Sequence, residues 1–492
     1  MQRTRALVFG LDGGTWDLID PLIARGDLPV FAELKRDSAW APTSTTWPAH
    51  TAPGWTSFVT ASSPGMHGIY NFFHTQDPFY GARIAGTSSI GRSGCWEWAS
   101  ARGLSLGLIN IPMSHPALPL AGYQITWPLK QTTRYCQPPY LLSDLSRNGH
   151  HFQSDLTTMY RGDLNYIDDA IGFVAARMSA ARYMLESWPT DVFAIVLTEV
   201  DRVCHHYWHF SDASHPAYPE EAAQSYRDAI RNILRAVDRE LAKTLAMLPD
   251  DCSVVVVSDH GFGPGHRSLA MHAVLESAGL LRTVTAEKQP GEVASWFSED
   301  GRSVDWDHTS VYMPVPGSYG LNLNLRGRQH RGIIEADDAE SVLEETAAVL
   351  QAIRIPESGK PAFQRILRRE EAYSGPMMQQ APDLLLVPNE TLMVTPSCGS
   401  TWSASYQTGL HRHQGMWMHR SSRVCAGRLP QRVRLIDVLP TLFADLGFEV
   451  SGEFQGEPVS GIFSQFTADE YKAEDEWESP ELTARLKAMG YL

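Results

Sequence analysis

Three short apolar runs constrain this chain more than any other feature: Ala6-Leu7-Val8-Phe9-Gly10, Val192-Phe193-Ala194-Ile195-Val196-Leu197 and Ser253-Val254-Val255-Val256-Val257. Compact runs of this kind suit strands buried on both faces of a parallel sheet. Between the second and third, Tyr226, Ile230, Ile233, Val237, Leu241, Leu245 and Leu248 recur at three- and four-residue steps. That period predicts an amphipathic helix from Glu221 to about Leu248. Thr15 is placed to cap a helix carrying Leu18, Ile19 and Leu22. A further helix is expected from Asp437, with Leu439, Leu442, Phe443 and Leu446, ending at Gly447. Buried strands alternating with such helices predict an α/β fold, a central and mostly parallel sheet with helices on both faces.

Each of the three strands leads, directly or within a few residues, to an aspartate: Asp12, Asp201 and Asp259. In open α/β sheets the site lies at the carboxyl ends of the strands, so the coincidence marks one edge. The expected organisation is a catalytic domain from residues 1–280 and 400–465, with an inserted cap at 281–399. Turns such as Pro290-Gly291 and Pro316-Gly317 punctuate the insertion. Residues 466–492 read as a charged segment and a closing helix. Residues 71–170 mix Trp, Pro and Gly without a clean period.

A length of 492 residues allows a large core plus such an insertion. The net charge of −15 argues against a partner that is a nucleic-acid polymer, which needs a basic surface. The six cysteines are scattered, with no CxxC pair, as free thiols in a reducing compartment would be. The opening apolar stretch Ala6–Leu11 is too short for a secretory signal, and no run approaches the roughly 18 apolar residues that cross a bilayer. The expectation is a cytoplasmic protein with no membrane partner.

Four segments carry candidate chemistry. In Asp259-His260-Gly261-Phe262-Gly263 a carboxylate and an imidazole leave a strand together while glycines turn the backbone away. Those are ligand types for zinc or manganese. Asp201 and His205 are four residues apart, one face of a helical turn, and can grip one ion together. His209 returns to roughly the same face and is a rival. Gly409-Leu410-His411-Arg412-His413 offers two alternating histidines, of which one suffices. In Thr51-Ala52-Pro53-Gly54-Trp55, Thr51 is expected as the N-cap of a helix, where the dipole favours an alkoxide and a phosphoryl oxygen. Thr45, Thr46 and Thr56 compete with it. Alone, each segment has an ordinary structural explanation as a cap, a surface histidine or a polar helix start.

In order along the chain, Leu11-Asp12-Gly13, Thr51-Ala52-Pro53, His67-Gly68-Ile69, Asp201…His205, Asp259-His260-Gly261 and His411 resemble the alkaline phosphatase superfamily. The branch they resemble most is the type I phosphodiesterase/nucleotide pyrophosphatase group. The resemblance implies one divalent metal held by Asp12, Asp259, His260 and Thr51, and a second held by Asp201, His205 and His411. Zinc is the first choice, with manganese or iron as alternatives. It also singles out Thr51, sixteen residues before His67, as the nucleophile that forms a phospho-threonine intermediate. The branch carries an Asn five residues after that His; here Phe72 stands there, and Asn71, one earlier, is the candidate substrate donor. The implied activity is hydrolysis of a small phosphorylated substrate, a phosphodiester or a nucleotide pyrophosphate. A phosphomutase or phosphotransferase, a phosphonate hydrolase, and a catalytically inactive binding protein are the competing readings. Oligomeric state is not legible.

Overall fold

The computed structural model describes residues 4–285, 302–450 and 452–463. The segment expected to be charged and then helical, 466–492, lies outside the described residues, as does part of the 281–399 region. The chain divides into two compact units. Among the described residues the first is built from 4–63, Gly86–Gly263 and 411–463; the second from Pro64–Ala85 and Pro264–Leu410.

The elements of the first unit that matter below are β1 (Ala6–Leu11), β2 (Ala39–Ser44), α1 (Thr51–Thr60), β3 (Leu106–Ile109), β4 (Gly122–Ile125), α2 (Tyr166–Ser187), β5 (Val192–Leu197), α3 (Glu199–Ser211), α4 (Ala229–Leu245), β6 (Ser253–Val257) and β7 (Gln414–Arg420). The sheet runs in the order β2-β7-β6-β1-β5-β3-β4, extended at its edges by two-residue strands. From β6 to β4 every pairing is parallel, as the three apolar runs predict. Strand β7 is antiparallel to both β6 and β2.

Side-chain alternation explains why these runs are apolar throughout. Leu7, Phe9, Leu11, Phe193, Ile195, Leu197, Val254 and Val256 join one buried core with residues of α2, α3 and α4. Ala6, Val8, Val192, Ala194, Val196, Val255 and Val257 join a second core on the opposite face, with Trp55 and Phe58 of α1 and Val438–Phe443. Helices therefore cover both faces. Gly10 lets α1 come close: a Cβ there would stand 2.6 Å from the Trp55 ring and 2.7 Å from Val196.

The helix expected from Glu221 begins later, at Ala229, after a separate short turn of helix at Gln224–Arg227, and ends at Leu245. Thr15 caps the helix Trp16–Ala24 by accepting from Asp17 N.

The second unit has its own core. A four-stranded sheet of Val311–Tyr312, Gly320–Leu323, Leu384–Pro388 and Phe363–Arg368 packs with the helix Ala339–Gln351. A smaller sheet places Arg267–Ala270 between Leu392–Thr395 and Trp402–Ala404.

Candidate metal centre

Strand ends bring the first set of donors together. Asp12 follows β1 directly, and its N–H donates to Leu197 O, continuing the β1–β5 ladder one residue further. Asp259 and His260 follow β6 after Ser258, whose N–H donates to Met416 O. Asp12, Asp259 and His260 present donor atoms within 4.8 Å of one another and are wholly buried. His260 Nε2 lies 3.4 Å from Asp12 Oδ1 and 3.2 Å from Asp259 Oδ2. Three contacts orient the trio. Trp55 Nε1 donates to Asp12 Oδ2 (3.0 Å), Gly13 N donates to Asp259 Oδ1 (3.3 Å), and His260 Nδ1 donates to Gly261 O (3.1 Å). The last bond puts the imidazole proton on Nδ1 and leaves the Nε2 lone pair facing the carboxylates, as a metal-ligating histidine requires.

The second set comes from a helix and from the approach to β7. Asp201 and His205 sit one turn apart on α3, and His205 Nε2 is 3.4 Å from Asp201 Oδ1. Because β7 is antiparallel to β6, its beginning lies beside the end of β6, and His411 reaches the same edge. His411 Nε2 is 3.1 Å from Asp201 Oδ1 and 2.9 Å from His205 Nε2. Its Nδ1 donates to Ala49 O (3.0 Å), so again Nε2 is the free acceptor. Asp201, His205 and His411 form the second cluster, partly exposed at 13–15% of each side chain. The clusters adjoin: the rings of His260 and His411 stack at 3.7 Å, and His260 Nε2 is 3.9 Å from Asp201.

The electrostatics are those of acids and imidazoles crowded together at a buried edge. Burial, then the neighbouring charges of Asp259 and Asp201, push the Asp12 carboxyl well above its ordinary range. Burial and Asp201 do the same to Asp259. Asp201 moves the other way, since the His205 and His411 imidazoles outweigh its burial. Burial, then His411, holds His260 neutral. Asp259 Oδ2 is buried without a hydrogen-bond partner among the described residues. Desolvating a carboxylate costs several kcal/mol unless a charge compensates it. An orphaned carboxylate oxygen beside converging imidazole lone pairs is a donor set that fits divalent cations.

Thr51 Oγ1 sits against the first cluster, 3.3 Å from His260 Nε2 and 3.5 Å from Asp12 Oδ1. The hydroxyls of Thr46 and Thr56 are taken up by the carbonyls of Pro48 and Ala52. Thr51 is not the N-cap expected above but the first helical residue of α1. His50 is the cap, its Nδ1 accepting from Ala52 N, because an imidazole one position earlier reaches that donor. Of the alternating histidines, His411 is in the cluster, while His413 stacks on Trp47 at 5.0 Å. His209 belongs to neither cluster and packs beside Phe210 and His215. Asn71 belongs to the second unit, where both ends of its amide are engaged: Nδ2 donates to Pro316 O and Oδ1 accepts from Phe73 N. Two residues that sequence reasoning passed over are Trp55 and His50. Trp55 follows Thr51 by one helical turn, a spacing that signals a shared face; nothing in the sequence marks His50 as a cap.

Residues 6–422 match the family model described as type I phosphodiesterase / nucleotide pyrophosphatase. No curated protein sequence matches the chain. Among solved structures, alkaline phosphatase PafA superposes with a TM-score of 0.57 at 13% identity, covering 94% of this chain and 99% of that one. Murine ectonucleotide pyrophosphatase/phosphodiesterase 5 gives 0.55 at 11% identity, covering 92% and 98%. Phosphonoacetate hydrolase from Sinorhizobium meliloti 1021, solved with phosphonoformate, gives 0.54 at 15% identity, covering 89% and 94%. At these identities the structures establish a shared fold, that of the alkaline phosphatases.

Proposed function

This chain belongs to the type I phosphodiesterase / nucleotide pyrophosphatase family, hydrolases of phosphoester or pyrophosphate bonds, and we propose that Thr51 is its nucleophile and that two divalent cations complete its site. Asp12, Asp259 and His260 would hold one cation together with Thr51; Asp201, His205 and His411 would hold the other. Mixed carboxylate and imidazole donors favour zinc, then manganese or iron. Bound there, the pair would supply positive charge to the attacking and leaving oxygens and lower the pKa of the threonine hydroxyl.

The remaining work falls to the chain's own groups. Thr51 Oγ attacks phosphorus in line, forming an Oγ–P bond as the bond to the leaving alcohol or nucleotide breaks. The hydroxyl proton leaves to solvent, and the leaving oxygen takes one from water. The first turn of α1 directs its dipole at the developing negative charge. Water then attacks phospho-Thr51 and restores the hydroxyl. Trp55 and Gly13 hold the Asp12 and Asp259 carboxylates in place throughout. The substrate class is a small phosphodiester or nucleotide, and a surface of net charge −15 is poorly suited to a polymer. All six cysteines are free thiols, in keeping with the cytoplasm.

The observation that carries this reading is the position of Thr51 Oγ1 within 3.5 Å of two members of a buried three-donor cluster. Thr51→Ala is expected to lower turnover of bis-p-nitrophenyl phosphate by about 10³-fold or more while metal content is unchanged. Mass spectrometry of acid-quenched wild type is expected to find the phosphoryl adduct on Thr51. Full turnover in the variant would sink the covalent mechanism, and preference for p-nitrophenyl phosphate over the diester would move the substrate to monoesters.

A further inference from the structure

A buried charge network stands behind the second cluster, with its hub in the stretch 71–170 that shows no regular period in sequence. Its hub is Asp155, 1% exposed. Asp155 Oδ1 accepts from Arg177 Nη2 (2.6 Å) and Asn110 Nδ2 (3.3 Å). Oδ2 accepts from Arg202 Nη2 (2.7 Å), from Trp127 Nε1 and from Thr198 Oγ1. Arg177 also donates to Glu199 Oε1 through Nε (3.1 Å) and Nη2 (2.8 Å). Two guanidinium groups thus face two carboxylates, and the buried charges cancel.

Three of these residues, Thr198, Glu199 and Arg202, bracket Asp201 on the first turn of α3. Thr198 and Arg202 are four residues apart, as are Asp201 and His205, so network and cluster occupy neighbouring stripes of one helix. Thr198 is the N-cap residue of α3; its side chain makes no capping bond, and its hydroxyl donates to Asp155. Thr198 and Arg202 both donate to Asp155 Oδ2, so two positions one turn apart at the helix start are tied to one buried carboxylate. Asn110 extends the grip to the sheet: it also donates to Val196 O near the end of β5, from a left-handed backbone with φ of 58°.

We propose that Asp155 is a positioning residue for the second cation site: it clamps the first turn of α3 against the sheet, so that Asp201 and His205 face His411. The proposal rests on the two-cation reading above. Asp155 belongs to neither donor cluster. A group that only stabilised the fold would affect both clusters alike; a clamp on α3 affects one.

The test is zinc binding to the metal-free full chain, measured by competition with a chromophoric chelator. Wild type is expected to bind two ions, and the step lost in His411→Ala identifies the second site. Asp155→Asn is expected to weaken that step by about 10–100-fold and leave the other unchanged. If Asp155→Asn does not fold, Thr198→Val keeps every charge and removes one donor, and a smaller loss confined to the same step is expected. An unchanged second step, or equal losses at both, overturns the proposal. Wild type that binds no second ion overturns the two-cation reading, and this proposal with it.

Discussion

The two donor clusters use the same residue types and differ in what holds them. Asp12, Asp259 and His260 stand at the ends of paired strands, are fully buried, and are oriented by backbone groups and the Trp55 indole. Asp201 and His205 stand on a helix and His411 on the short strand Gly409–Arg412, where its Nδ1 donates to Ala49 O; all three remain partly open to solvent. A strand-end ligand inherits its position from the sheet's hydrogen bonds, whereas a helical ligand needs the helix itself to be fixed. The first arrangement is tied to the sheet but leaves its carboxylates buried and crowded. The second is better solvated, and its geometry depends on the packing behind it.

The largest expected effect tests the crowding. Asp259→Asn keeps the oxygen that accepts from Gly13 but removes the charge. It is expected to lower turnover by about 10³-fold or more, in line with loss of a group essential to the first site. In metal-free protein the sign reverses. Relieving the buried repulsion is expected to raise the melting temperature at pH 8 by about 1–2 °C for each kcal/mol removed, the shift per kcal/mol falling with chain length. Calorimetry of both forms decides the point: a metal-free variant that melts lower than metal-free wild type would show that Asp259 is not crowded. An intermediate effect is expected for Trp55→Phe, which deletes the indole N–H donated to Asp12 and keeps the aromatic packing. A hydrogen bond to an ionised group contributes about 1.5–3 kcal/mol. The loss is expected in the affinity of the first ion alone, seen as one displaced step in the zinc titration. The smallest effect is expected at His209, which shares the α3 face in sequence but lies with His215 and Phe210. His209→Ala is expected to leave both binding steps and turnover unchanged, and a lost ion would redraw the second cluster.

Legibility in sequence followed the same divide. The strand-end donors could be read because uninterrupted apolar strands can only be buried, and the residue after a buried strand has a known address. Asp201 and His205 could be paired by helical spacing. Choosing His411 over His413 needed the resemblance, since spacing alone leaves both open. Asp155 was illegible: its partners Asn110, Arg177 and Arg202 are scattered along the chain, and no period links them. The cap of α1 was misplaced by one residue because threonine is the commoner cap and histidine is rarely considered for it.

Strand β7 joins β2 to β6, and among the described residues β2 has no other strand pairing to the main run of the sheet. Without residues 414–420 the valine-rich β6 would stand at an open edge of the sheet. An unpaired apolar edge is a template for association with other chains. A chain truncated before residue 414 would present that edge to other chains, and β7 is the strand that closes it.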